Sequence, residues 1–190
     1  MPSDQLATDR LAPDPLAADL LAALCARRWT VAVAESLTGG LVCASLVDIA
    51  GASKTVRGGV VAYATDLKTS LLGVDGDLLA ARGAVDPDVA GAMAAGVRER
   101  LGADVGLATT GVAGPGATDG HGPGTVHVAV ATADGVRVGS AQLPGDRHAV
   151  RIAARDLVLG LAVDVVREHG TGRAVRDQGT GGAPSTLDEM

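Results

Sequence analysis

The sequence predicts a three-layer α/β/α fold, in which a mixed central sheet is covered by helices on both faces of a single domain. Short apolar runs rich in valine and alanine alternate with longer stretches whose apolar residues recur at helical spacing. Two alternating runs at 125–131 and 136–143 are separated by Ala133-Asp-Gly135, a hairpin signal that adds an antiparallel pair. At 190 residues, the chain is long enough to bury a core without disulfides or a structural metal.

The helices are predicted from their capping residues as well as from their periodicity. Pro15 suits the first turn of the first helix. Asp66 is predicted as the N-cap of a short helix that Gly73 ends, and Asp86-Pro87 opens another helix that Gly102 closes. The predicted elements, in order, are helix 14–28, strand 29–34, helix 39–49, strand 58–64, helix 66–72, helix 86–101, strand 104–109, strands 125–131 and 136–143, and helix 146–168.

The two ends of the chain lack this patterning. Residues 1–13 mix Pro, Asp and Gln with few large apolar side chains and are predicted to be a flexible leader. Residues 170–190 collect Gly, Thr, Pro and acidic residues and are predicted to be a disordered tail. The globular domain is therefore expected to span 14–169.

Composition excludes several classes of function. A net charge of -6 and a pI near 5.1 argue against a general nucleic-acid or anionic-membrane surface, which needs a basic footprint. Trp29 and Tyr63 are the only aromatic residues apart from histidines, so bases have no aromatic platform to stack on. No apolar run approaches the ~18–20 residues of a membrane span, and the acidic start is unlike a signal peptide. A cytoplasmic protein is expected.

Metal chemistry and cofactors are not expected either. Cys25 and Cys43 lie in predicted helices without the paired spacing of a zinc site, and we expect both to be small buried residues. The four histidines are scattered singly, without partners at metal-ligand spacing.

The stretch Val31-Ala-Val-Ala-Glu-Ser-Leu-Thr-Gly-Gly40 is predicted to form a strand, a tight turn and the start of a helix. Backbone N–H groups at a helix start have no intrahelical partner, so they are expected to provide a seat for an anion or an oxyanion. Ser36 lies at the mouth of that seat.

Lysine is scarce: Lys54 and Lys68 are the only two, against fourteen arginines. A desolvated lysine can lose its proton, whereas an arginine cannot. Lys68 follows closely after Tyr63 at a strand end. Together with Ser36, it suggests a Ser-Lys nucleophilic site. Each residue also has a structural interpretation: Ser36 as a helix cap, Tyr63 as a half-buried strand residue and Lys68 as a solvated one. Spacing alone leaves the two interpretations open.

Two further features suit a phosphate or a ribose. Thr110 ends a predicted strand, and Gly111 and Gly114 belong to the Gly/Pro-rich loop 111–124 that follows it. Together they offer a hydroxyl and free amides, although an ordinary connection has the same composition and no dinucleotide or Walker pattern is present. Arg147 and Arg151 lie one turn apart near the start of the last helix, where they form either a phosphate clamp or a solvated face.

Several motifs together resemble the CinA C-terminal domain family. They run in order from about the first helix to the last and leave only the two tails uncovered. They are Ala34-Glu-Ser-Leu-Thr-Gly-Gly40, Gly59-Val-Val-Ala-Tyr63 with Lys68 and Gly73-Val74, Gly83-Ala-Val85, Thr110-Gly-Val-Ala-Gly-Pro115, Gly124-Thr-Val126 and Gly145-Asp-Arg147.

The resemblance implies hydrolysis of the carboxamide of nicotinamide mononucleotide to nicotinic acid mononucleotide and ammonia, a salvage step that needs no cofactor. It implies Ser36 as nucleophile, with Tyr63 and Lys68 as its catalytic partners. The implied partners are this small-molecule substrate and further copies of the chain, and not nucleic acid or membrane. The implied substrate-binding residues are Thr38, Gly39, Gly40, Thr110, Gly111, Gly114, Arg147 and Arg151.

The chain also departs from the family pattern. Leu37 replaces the cysteine that often precedes the motif threonine, and segment 117–123 is unusually rich in glycine. Longer members carry an N-terminal domain related to molybdopterin-binding proteins, for which this chain is expected to have no room, so pyrophosphatase activity is not expected here. Two other hypotheses stay open: a nucleotide-responsive interaction module of the competence or DNA-damage type with a vestigial site, and an amidohydrolase for another pyridine nucleotide.

Overall fold

A computed structural model describes residues 13–171, with side chains from 13 to 169. The predicted leader and tail therefore lie almost wholly outside the described residues, apart from Pro13 and the last two residues of the final helix. The strands are β1 (Val31–Glu35), β2 (Val56–Val61), β3 (Val105–Gly111), β4 (Thr125–Thr132) and β5 (Gly135–Gln142). The helices are α1 (Pro15–Arg27), α2 (Leu41–Val47), α3 (Thr65–Leu72), α4 (Gly76–Arg82), α5 (Pro87–Arg100) and α6 (Arg147–Thr171).

The five strands form one mixed sheet in the order β2-β1-β3-β4-β5. β1 pairs in parallel with both β2 and β3, whereas β3, β4 and β5 pair antiparallel. The predicted hairpin is the β4–β5 pair. Because β1, β2 and β3 run in the same direction, their carboxyl ends lie at one edge of the sheet, and the segments that follow them meet there.

Side chains alternate along each strand and so divide the core into two layers. Val31 and Val33 of β1 belong to the layer with α1, α2 and α6, while Ala32 and Ala34 belong to the layer with α3, α4 and α5. The predicted three-layer α/β/α architecture is thus confirmed. Among the described residues, no helix combines the length and apolar character needed to cross a bilayer.

The second layer is packed unusually closely because its facing residues are small. A Cβ built on Gly106 of β3 would lie 2.1 Å from the Ala94 carbonyl oxygen of α5. A Cβ built on Gly96 of α5 would lie 2.0 Å from the Leu72 carbonyl oxygen at the end of α3. No real Cβ comes this close, so the sheet, α5 and α3 can approach one another only through glycine.

Most predicted helix ends are confirmed. Asp14 accepts hydrogen bonds from the amides of Leu16 and Ala17, and Asp86 accepts one from the amide of Asp88. Gly73 ends α3 in the left-handed conformation at φ +74°, as its role as a C-cap requires.

Other predictions need correction. The helix predicted from an Asp66 cap begins at Thr65 with Ala64 as N-cap, and Asp66 lies in its first turn. β2 begins and ends before the predicted 58–64 because it follows the register of β1, which leaves Tyr63 beyond the strand. Cys25 is exposed, since α1 turns its leucines inward, and Cys43 is half-buried.

α4 was not predicted at all. Its cap, Asp75, accepts one hydrogen bond from the amide of Asp77, and the helix is only seven residues long. The last helix, in contrast, runs three residues past its predicted end, to Thr171.

Gly96→Ala is expected to destabilise the protein by about 1–3 kcal/mol, because its Cβ would meet the Leu72 carbonyl and force α5 and α3 apart. Gly160→Ala in α6 is the matched control, since nothing lies within 4 Å of its Cβ position. There the helix preference of alanine should stabilise the protein by about 0.5–1 kcal/mol. Urea unfolding of both variants checks the prediction, and equal effects would contradict the close contact.

Candidate active site

Lys68 is a buried lysine at the carboxyl edge of the sheet. It extends from α3, is only 1% exposed, and donates hydrogen bonds to Ser36 Oγ at 3.2 Å and to the Ala62 carbonyl oxygen at 2.9 Å. Burial lowers the pKa of its amine below the ordinary lysine value, while attraction to Asp119 and Asp66 acts in the opposite direction. A lysine whose pKa is lowered in this way can act as a base towards the serine beside it.

Ser36 is held at the end of β1 by its own backbone. Its N–H donates to the Thr109 carbonyl oxygen of β3 at 3.0 Å, and its side chain is 8% exposed. The chain then turns sharply at Gly39 and Gly40, both with positive φ, before α2 begins. Ser36 thus has a fixed backbone and a hydroxyl that reaches Lys68.

The expectation that the start of α2 provides a free anion seat is wrong, because Glu35 fills it. The buried carboxylate of Glu35 accepts hydrogen bonds from the amides of Gly40 at 2.8 Å, Val42 at 3.1 Å and Cys43 at 2.8 Å. A negative side chain at a helix start is stabilised by the helix dipole. Glu35 therefore ties the end of β1 to α2 and fixes the turn that carries Ser36.

Backbone N–H groups without an acceptor among the described residues directly follow Ser36 in the chain. Within residues 13–171, the N–H groups of Leu37 and Thr38 donate to no protein acceptor. Both belong to the turn that directly follows Ser36. Leu37 lines the cavity and Thr38 does not, so the Leu37 amide is the available donor for an oxyanion at this site.

Cys43 is the nearest alternative nucleophile on α2, and its environment argues against that role. Burial, and secondarily the Glu35 carboxylate, raise the pKa of the Cys43 thiol. Since the thiolate is the reactive form, Ser36 is the better candidate.

Tyr63 also lines this cavity and is 58% exposed. Its hydroxyl accepts a hydrogen bond from Arg147 at 2.9 Å, and Arg147 also donates to the Gly114 carbonyl oxygen at 2.8 Å. In the described part of the chain, the Tyr63 hydroxyl bonds to neither Ser36 nor Lys68. Arg147 thus joins the segment after β2 to the glycine-rich loop.

The cavity between these segments has a volume of about 170 Å³. The structure brings seven of the predicted site residues to its walls. They are Ser36, Tyr63, Lys68, Thr110, Gly111, Gly114 and Arg147.

The remaining predicted residues lie outside the cavity lining and stabilise the turn around Ser36. The buried hydroxyl of Thr38 shares a hydrogen bond of 2.7 Å with that of Thr109. Arg151 donates to the carbonyl oxygens of Leu37 at 3.0 Å and Thr38 at 2.6 Å. A Cβ on Gly39 would lie 3.3 Å from the Arg151 guanidinium, and Gly40 donates to Glu35.

Sequence reasoning missed two acidic residues of the site. Glu35 stands directly before Ser36 in the motif, but its inward direction depends on the path of α2. Asp119 lines the cavity from the glycine-rich loop, and its signal was the Asp-Gly pair at 119–120, a turn sequence. Among the described residues, no three His, Cys, Asp or Glu side chains gather in a way that would hold a metal ion.

The fold and site together define a class: a three-layer α/β/α protein with a buried serine–lysine pair at the carboxyl ends of parallel strands. A family model for the CinA C-terminal domain matches residues 13–166, and the chain belongs to this family.

Relatives and solved structures agree with this. The chain is 55% identical over 136 residues to a CinA-like protein of Frankia casuarinae, covering 70% of this chain and 31% of the relative. It is 48% identical over 133 residues to a putative competence-damage inducible protein of Desulforamulus reducens, covering 70% of this chain and 32% of the relative. The chain thus spans about a third of the length of these relatives.

A CinA superfamily protein from Klebsiella pneumoniae superposes with a TM-score of 0.78 at 30% identity, covering 80% of this chain and 96% of that one. A competence/damage inducible protein from Agrobacterium tumefaciens gives 0.76 at 33% identity, with coverage of 80% and 93%. The solved structures therefore correspond in extent to this domain.

Glu35→Gln is expected to destabilise the protein by at least about 1.5–3 kcal/mol, the range for one hydrogen bond to a charged group, because a carboxamide cannot accept from all three amides. Asp75→Asn, at a cap that accepts from a single amide, should cost less than about 1 kcal/mol. Chemical denaturation measures both. A smaller loss for Glu35→Gln than for Asp75→Asn would contradict this account of Glu35.

Proposed function

We propose that this chain hydrolyses the carboxamide of nicotinamide mononucleotide to nicotinic acid mononucleotide and ammonia, with Ser36 as nucleophile. The observation that carries the proposal is the buried Lys68 amine 3.2 Å from Ser36 Oγ. A serine hydroxyl is a weak nucleophile until a base removes its proton, and a lysine with a lowered pKa can do so near neutral pH.

In the proposed reaction, neutral Lys68 takes the proton of Ser36 as Oγ forms a bond to the amide carbon. The Leu37 amide, on the cavity lining, stabilises the negative oxygen of the tetrahedral intermediate. The same proton then passes from Lys68 to the departing nitrogen, the C–N bond breaks and ammonia leaves. Water attacks the resulting ester, with Lys68 again as base, and releases the carboxylate. One oxyanion donor contributes about 2.7–4 kcal/mol in other enzymes, so the turn geometry matters as much as the side chains.

The size of the cavity supports a division of the substrate. About 170 Å³ is below the roughly 300–1,000 Å³ of a pocket that encloses a whole ligand. In the proposed complex the carboxamide and its ring enter the cavity, and the ribose phosphate lies at the rim with Tyr63 and Arg147. The Arg147 guanidinium supplies positive charge for the phosphate, and its bond to Tyr63 orients the phenol.

A cytoplasmic location and self-association stay predictions within this proposal. The interaction-module hypothesis requires binding without hydrolysis, and the assay below distinguishes the two.

Lys68→Met should abolish ammonia release from nicotinamide mononucleotide, because methionine fills a similar volume without a base. Lys68→Arg, which keeps a positive charge that cannot be lost near neutral pH, should also lower turnover by at least about 10²-fold. The control is Lys54→Met at the other lysine, which is exposed and remote from the cavity. Activity is measured with the mononucleotide and with a simple amide, and folding by circular dichroism. Folded Lys68→Met with normal turnover would remove Lys68 from the mechanism.

The pH dependence of the reaction provides a second test. The rate should rise with pH as Lys68 loses its proton, and the midpoint should lie below the ordinary lysine value of 10.5. Asp66 attracts the protonated amine and does not line the cavity, so Asp66→Asn should lower the Lys68 pKa further and move the rising limb to lower pH. The measurement is kcat/KM against pH for both proteins. A shift to higher pH would contradict the assignment of the limb to Lys68.

A further inference from the structure

The glycine-rich segment after β3 contains a small ordered turn. Thr118 and His121 exchange two backbone hydrogen bonds, of 3.0 and 2.9 Å. The two residues between them, Asp119 and Gly120, have φ values of +51° and +78°. Positive φ at both central positions is the requirement of the tightest hairpin turns, and Asp-Gly is a preferred pair for them. The turn therefore holds Asp119 at a defined place.

That place is the wall of the cavity that also contains Ser36 and Lys68. The Asp119 side chain packs near Gly83: a Cβ built on Gly83 would lie 3.7 Å from the Cβ of Asp119. Among residues 13–169, no group hydrogen-bonds or ion-pairs with its exposed carboxylate, which attracts the Lys68 amine. Arg147, the guanidinium on the same cavity, is by contrast already bound to Tyr63 and Gly114.

We propose that Asp119 is a specificity residue that selects ligands whose ring carries a positive charge. The inference rests on the proposed function and deepens it. The nicotinamide ring of the mononucleotide is a cationic pyridinium, because its nitrogen is quaternised by the ribose. Among the described residues, the Asp119 carboxylate has no hydrogen-bond or ion-pair partner. While Lys68 is neutral, this carboxylate on the wall of a small cavity attracts such a ring and gives a neutral ring no comparable gain.

The same charge favours release of the product. Hydrolysis converts the neutral carboxamide into a carboxylate, so the reacting end of the ligand gains a negative charge beside Asp119. Repulsion between the two carboxylates weakens binding of the product relative to the substrate. Asp119 thus discriminates both between substrates and between substrate and product.

The test compares two ligands that differ by one hydride and therefore in ring charge: nicotinamide mononucleotide and its reduced 1,4-dihydro form, which has a neutral ring. Binding of each to the full chain is measured by calorimetry, alongside ammonia release from the oxidised form. Asp119→Asn should weaken binding of the oxidised form by about 1.5–5-fold, the range for a solvent-screened charge pair, and leave the reduced form unchanged. Asp66→Asn is the matched control, since Asp66 also attracts Lys68 but does not line the cavity; it should change neither affinity.

Equal weakening of both forms by Asp119→Asn, or the same selectivity loss in Asp66→Asn, would overturn the inference, as would an unchanged preference in Asp119→Asn. Charge-selective binding without ammonia release would support the role of Asp119 and overturn the proposed hydrolysis. Ammonia release, with a binding preference for the charged ring that is unchanged in Asp119→Asn, would support the proposed hydrolysis and overturn the role of Asp119. If the wild-type protein binds neither form, both proposals fail.

Discussion

The arrangement of the whole site depends on the burial of one amine. A lysine that is 1% exposed loses its hydration. Among residues 13–169, the Lys68 amine donates hydrogen bonds to two acceptors, Ser36 Oγ and the Ala62 carbonyl oxygen. The end of α3 fixes the backbone that carries Lys68. The Lys68 carbonyl oxygen accepts a hydrogen bond from the Val74 N–H at 3.1 Å, and the Leu72 backbone packs against Gly96 of α5. The close packing of α3 on α5, which only glycine permits, therefore helps to fix the position of the Lys68 amine.

The serine side of the pair is held from the other layer of the fold. Glu35 connects the turn to α2, and Arg151 of α6 donates to two carbonyls of the same turn. Ser36 and Lys68 are thus positioned by elements on opposite faces of the sheet, and they meet at its carboxyl edge. Polar residues outside the cavity lining therefore contribute to its geometry. Glu35 and Arg151 do so by hydrogen-bonding the backbone of the turn that carries Ser36.

The sequence was sufficient for the layers, the hairpin, most helix caps and the convergence of Ser36, Tyr63 and Lys68 on one cavity, because parallel strands bring their carboxyl ends together. It was insufficient where side-chain direction depends on tertiary contact. Glu35 is itself the anion at the helix start that the sequence left open for a ligand. Arg151, predicted as part of a phosphate clamp, donates instead to backbone carbonyls inside the protein. α4 escaped notice because a seven-residue helix with a single capping bond leaves little periodicity.

The charges around the cavity also follow a physical logic. A chain of net charge -6 repels a phosphate at long range, but this repulsion is screened beyond ~8–10 Å, so local charges decide binding. A pyridinium nucleotide is itself divided, with a positive ring and a negative phosphate. Arg147 and Asp119 on one cavity offer the complementary signs, and a ligand with only one of these charges meets one complementary group and one opposed group. For a ligand with a single charge the two contributions partly cancel. Under the proposed function, this mixed charge is the expected basis for preferring the dipolar nucleotide over simple anions and simple cations.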